Sequence, residues 1–91
     1  MKVVVRYMAQ LRQAAGAASE EIELDGAGRV VALLRKLAER HGTVLRRLLL
    51  TADDTPQPTL LVFVGDDQAD VRTAVLNDGD AVTLLTPIAG G

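Results

Sequence analysis

Cysteine is absent from the 91-residue chain. With it go disulfides, thiolate metal sites, iron–sulfur clusters held by thiolates and cysteine nucleophiles. Aromatic residues are almost absent: Tyr7 and Phe63 stand alone, without tryptophan. A core must therefore be built from aliphatic side chains. The basic segment described below also lacks the aromatic platforms on which unpaired bases stack. Long apolar runs are missing too, since the opening Val3-Val4-Val5 stops at Arg6. That is far short of a signal peptide or a membrane span, so the expected address is the cytoplasm, with no membrane partner. The formal net charge of -2 argues against a nucleic-acid partner.

What is present suffices for one folded domain. Hydrophobic residues make up 48% of the chain, too many for a disordered segment, and the length is too small for two independent cores. Charge is unevenly placed. Residues 29–47 carry Arg29, Arg35, Lys36, Arg40, Arg46 and Arg47 against Glu39, whereas residues 48–91 carry only aspartates and Arg72. A solvated helix beside acidic loops explains this, and a charge dipole that orients the domain on a partner is the sharper alternative.

Residues 2–8 alternate with period two, placing Val3, Val5 and Tyr7 on one face of a strand and Val4, Arg6 and Met8 on the other. A turn or two of helix is expected over 9–15, before Gly16. A second strand is expected over 19–25, with Ile22 and Leu24 inward and Glu21 and Glu23 in water. A helix over 29–41 gathers Val30, Leu34, Leu37 and Ala38 on one stripe, widened by Val31 and Leu33, and Gly42 stops it. Another short helix is expected over 44–50, with Leu45, Leu48 and Leu49 apolar, and then a proline-marked loop over 51–58. The apolar run 60–64 reads as a strand, and Gly65-Asp66-Asp67 as a turn. Asn77-Asp78-Gly79-Asp80 is a strong turn signal before a last strand over 81–86. Two strands, a crossover helix and two more strands predict an α+β fold. It would be a mixed sheet with the main helix across one face and the first and last strands parallel at its centre, which is the β-grasp layout.

Side chains with catalytic chemistry are scarce. His41 is the only histidine, and at a helix C-terminus it reads as a dipole-stabilised or partly buried imidazole rather than a base. Asp53-Asp54 and Asp66-Asp67 lack calcium-loop spacing, and Asp78 and Asp80 suit a turn, so no metal is expected.

The ending differs. After the last strand come Pro87, Ile88, Ala89, Gly90 and Gly91. Extended, these reach about 17 Å, and the two terminal glycines can enter a channel too narrow for a β-carbon. The group so delivered is an α-carboxylate, ionised at neutral pH because its usual pKa is about 3.5. It becomes an acyl donor only once activated, for example as an acyl-adenylate formed with ATP. The cationic groups that transfer needs are not assembled in this chain, so the activating site belongs to another protein. A merely frayed terminus is the plain alternative.

The run Leu76-Asn77-Asp78-Gly79-Asp80-Ala81-Val82 with Pro87-Ile88-Ala89-Gly90-Gly91 resembles the ending of the ThiS/MoaD sulfur-carrier family. The opening run from Val5 to Arg12 with Gly16, and the helix leading to Gly42, resemble it as well. The likeness departs at Thr86-Pro87, where many relatives have two prolines. It departs again at Val64-Gly65-Asp66, in place of a valine-asparagine-glycine turn, and at Gly28-Arg29, where relatives often have a capping threonine.

The resemblance implies a β-grasp domain over 1–86 and an extended tail over 87–91. It also implies a carrier or co-substrate rather than an enzyme, with no bound cofactor. Gly91 would be adenylated by an E1-like, ATP-dependent enzyme and converted to a thiocarboxylate, with Gly90, Ala89, Ile88 and Pro87 threading the partner's channel. The sheet face away from the helix would dock partners through Met8, Thr83 and Leu85. Length and ending favour molybdopterin synthesis, with the large subunit of molybdopterin synthase as acceptor. Carriers for cysteine, thiamine or tRNA thiolation, or a protein modifier conjugated through Gly91, are the alternatives.

Overall fold

The alternation at the N-terminus becomes strand β1 (Lys2–Tyr7), with Val3, Val5 and Tyr7 buried and Lys2 and Arg6 exposed. The computed structural model describes residues 1–26 and 28–87. After β1 come α1 (Gln10–Ala15), β2 (Ser19–Glu23), α2 (Val30–His41), α3 (Thr43–Leu49), β3 (Leu61–Val64), β4 (Asp67–Ala69) and β5 (Ala81–Leu85). The strands form one sheet in the order β2-β1-β5-β3-β4. At its centre β1 and β5 run parallel, Val5 beside Val82 and Tyr7 beside Leu84. The other neighbours are antiparallel. This is the expected β-grasp sheet with one correction. Asp67 does not end a turn but opens a further strand, facing Val64, with Ala69 facing Val62. Three residues with so little apolar character leave no periodic signal.

Element ends also move. Met8 falls just beyond β1, Leu60 lies before β3 yet is buried, and Arg29 precedes α2 as its cap. On α2, Val30, Leu33, Leu34, Leu37 and Ala38 are buried, and Val31 is a half-buried shoulder. They join the inward residues of the sheet, with Leu45 and Leu49 of α3, in one core cluster. Each fully buried leucine contributes about 1.5–3 kcal/mol. The interior is thus aliphatic apart from Tyr7.

The missing capping threonine has a structural replacement. Arg29 gives no side-chain cap, but the Val30 N–H donates to the Ala74 carbonyl at 3.1 Å and the Leu76 N–H to the Gly28 carbonyl at 2.7 Å. The loop before β5 thereby satisfies a donor that a helix start leaves open. At the other end Gly42 has φ 89° and ψ -162°. That is a positive-φ region open essentially to glycine, though not the left-handed helical conformation expected. Its N–H closes α2 on Ala38, and its carbonyl starts α3 by accepting from Arg46.

Candidate functional site

Because β1 and β5 are parallel, they finish at the same edge of the sheet. The Met8 N–H donates to the Leu84 carbonyl at 3.1 Å, which seats Met8 beside the root of the tail. Thr86 is buried and Pro87 exposed. The Thr86 hydroxyl has no hydrogen-bond partner among the described residues. The expectations for Ile88, Ala89, Gly90 and Gly91 fall outside the described residues.

The Asn77–Asp80 turn holds the opposite end of the central pair. The Lys2 N–H donates to Asp78 Oδ1 at 2.7 Å and the Asn77 N–H to Asp80 Oδ2 at 2.8 Å. The Gly79 N–H reaches the Lys2 carbonyl at 2.8 Å. These aspartates are turn residues, as read from the sequence, and they also fix where β1 begins against β5.

The sheet face away from α2 has no covering element among the described residues. Val82 and Leu84 are buried, while Thr83 and Leu85 turn outward and are half-exposed, as expected. Met8 is 41% exposed. The register adds what the sequence reading omitted: Phe63 sits opposite Thr83 and Leu61 opposite Leu85, and Val4 lies beside Ala81. All four are half-buried. Reading 60–64 as one apolar run hid its two faces, although parity from a buried Val62 would have separated them. The result is an apolar patch of Val4, Met8, Leu61, Phe63, Ala81 and Leu85, bordered on the β2 side by Ser19, Glu21 and Glu23, with Arg6 exposed between Ser19 and Thr83.

A second group gathers on the other side of the sheet. Glu20 lies opposite Val5, so it points toward the core side with Ile22. Tyr7 Oη donates to Glu20 Oε2 at 3.0 Å, and His41 Nε2 stands 2.6 Å from the same oxygen. A carboxylate only accepts, so the imidazole carries a proton on Nε2. Arg40 Nε is 2.9 Å from Glu20 Oε1. Its approach is out of line for a hydrogen bond, leaving an ion pair. The rings of Tyr7 and His41 meet edge to face, with centroids 5.9 Å apart. Burial raises the Tyr7 phenol well above its ordinary value, and the Glu20 charge and hydrogen bond add to that, while Arg40 opposes it. His41 is thus the partly buried imidazole expected. Glu20 went unplaced in the sequence reading, although it shares parity with Ile22 and Leu24.

The basic segment is largely engaged within the chain. Arg46 pairs with Asp54, Arg35 donates to the Asp54 carbonyl at 3.3 Å, and Lys36 donates to the Glu23 carbonyl. Asp54, in the loop over 51–58, takes these contacts with its side chain about half exposed and holds φ 61°. Among the described residues no three His, Asp or Glu side chains gather to hold a metal ion, and no helix is long and apolar enough to cross a membrane.

A five-stranded mixed sheet with parallel central strands and a crossover helix over one face defines a ubiquitin-like β-grasp protein. Known proteins place it further. The ThiS family matches residues 5–91, and the chain belongs to that family. Its structural neighbours include small archaeal modifier proteins, a molybdopterin converting factor subunit and a chain of a BexX/CysO complex. A Pyrococcus furiosus protein named provisionally as molybdopterin converting factor, subunit 1, is 30% identical with a TM-score of 0.77, and the match covers 97% of this chain and 99% of that one. A chain of the Amycolatopsis orientalis BexX/CysO complex is 29% identical at TM-score 0.68, covering 98% and 99%. The small archaeal modifier protein 1 of Haloferax volcanii superposes at TM-score 0.85 over the full length of both chains, and at 23% identity it shows the fold alone. No curated protein sequence matches.

Proposed function

We propose that this protein is a sulfur carrier whose reactive group is the Gly91 carboxylate, serving molybdopterin synthesis. In the first step the carboxylate attacks the α-phosphorus of ATP on an E1-like partner, giving an acyl-adenylate and releasing pyrophosphate. A hydrosulfide-level nucleophile held by that partner then forms the carbon–sulfur bond as the acyl–oxygen bond breaks and AMP leaves. The thiocarboxylate at Gly91 is handed to an acceptor enzyme, the large subunit of molybdopterin synthase. The carrier contributes no catalytic side chain. Its part is to present Gly90-Gly91 on the segment from Pro87, while the open face with Met8, Thr83 and Leu85 seats the partner. Phe63 and Leu61 extend that face.

The observation that carries this reading is the family match through the last residue, Gly91. The Pyrococcus furiosus relative supports the molybdopterin assignment. The likeness to a chain of the BexX/CysO complex supports a second reading, the same tail chemistry with a different acceptor. Intact-mass measurement on protein from its native cells tests the proposal. Replacement of one terminal oxygen by sulfur adds about 16 Da. Isopeptide-linked adducts through Gly91 would instead mark a protein modifier.

A further inference from the structure

The register lays one row across the open face: Ser19 on β2, Arg6 on β1, Thr83 on β5, Phe63 on β3 and Gln68 on β4. Arg6 is the charged member of that row. Along its own strand Val4 precedes it on the same face and Met8 follows, and Phe63 and Leu85 lie on strands beyond. Its side chain makes no hydrogen bond or ion pair among the described residues. Lys2, the other cation on this side of β1, stands 3.8 Å from Glu21. Arg6 is therefore an exposed cation without an ion-pair partner among the described residues, flanked across the strands by Ser19 and Thr83 and set beside the apolar patch of Met8, Phe63 and Leu85.

Such a residue is harmless in water and costly once covered. A partner that seats on Met8, Phe63 and Leu85 strips water from the guanidinium, and a buried cation without a counter-charge opposes binding. We propose that Arg6 selects the activating enzyme, by taking a carboxylate that this enzyme presents opposite the centre of the open face. The inference rests on the reading that the activating enzyme docks on that face. The planar guanidinium fork suits a two-point contact with a carboxylate, which lysine cannot reproduce. ATP phosphates are the wrong counter-charge. Arg6 faces the body of the partner, whereas the nucleotide must meet the end of a tail that reaches about 17 Å away.

The test uses the full chain and the adenylating enzyme purified from the same cells, read by ATP–pyrophosphate exchange and by direct binding. Arg6→Glu, Arg6→Gln and Arg6→Lys are compared with Phe63→Asp, and circular dichroism melting establishes that each is folded. Arg6→Glu is expected to weaken binding by roughly thirtyfold or more, with kcat retained and Arg6→Lys recovering only part. The loss should persist at about 1 M salt, where long-range steering is screened out. Arg6→Glu within about threefold of wild type, or a loss that vanishes in salt, overturns the inference if Phe63→Asp still abolishes binding. If Phe63→Asp binds normally as well, the docking reading itself has failed.

Discussion

His41 Nε2 and Glu20 Oε2 stand 2.6 Å apart, joining the C-terminus of α2 to the edge strand β2. Tyr7 reaches the same carboxylate oxygen from β1. A single largely buried glutamate thus ties three elements together at the end of the sheet where the tail begins.

Removing that glutamate should loosen the domain. Glu20→Ala strips both donors of their acceptor and leaves Arg40 unpaired, which should cost about 1.5–3 kcal/mol, the usual worth of hydrogen bonds to a charged group. Urea denaturation measures it. A loss below about 0.5 kcal/mol, the range of ordinary surface substitutions, would show that the cluster adds nothing to the fold.

Tyr7 makes the alkaline limb of stability readable, because it is the only tyrosine and there is no tryptophan. Burial and Glu20 raise its pKa in the folded state, so the neutral phenol is favoured by folding. That contribution is complete below the ordinary phenol value of about 10 and is lost as pH rises beyond it. Ultraviolet absorbance should therefore show tyrosinate only as the protein unfolds, and Tyr7→Phe should flatten the decline in stability above pH about 10. A reversible titration near 10 in the folded protein would contradict this.

Leu34 is fully buried on the α2 stripe. Leu34→Ala should cost about 2–5 kcal/mol in a denaturation experiment. Little or no loss would mean that the helix does not pack through that face.

Gly42 offers a backbone test with sterics set aside. A β-carbon there meets nothing within 4 Å, yet the residue holds φ 89° and ψ -162° between two helices. Gly42→Ala should therefore cost about 1–3 kcal/mol from conformation alone. An unchanged midpoint of thermal unfolding would show that the α2–α3 junction relaxes freely.

Most of the fold was legible in the sequence because its elements bury one face. Val3, Val5 and Tyr7 announce β1 by alternation, and Val30, Leu34, Leu37 and Ala38 announce α2 by helical spacing. The parallel pairing of β1 and β5 followed from element order. Features that depend on distant partners were not legible. Nothing local pairs Glu20 with His41, and β4 exists because β3 offers it an edge, not because Asp67-Gln68-Ala69 prefers a strand. On the open face, Thr83 and Leu85 were placed by parity, whereas Phe63 and Leu61, hidden in one continuous apolar run, became visible through register. Capping of α2 by Ala74 equally required the loop before β5 to be in position.

The central claim is that a partner enzyme acts on the last carbonyl of this chain. A chain lacking Gly91 provides the comparison, with melting temperature as the fold control. ATP–pyrophosphate exchange with the adenylating enzyme measures the activation directly. Exchange lost on deleting Gly91, from a protein that melts as before, is the predicted result. Exchange at the full rate without Gly91 would contradict the account.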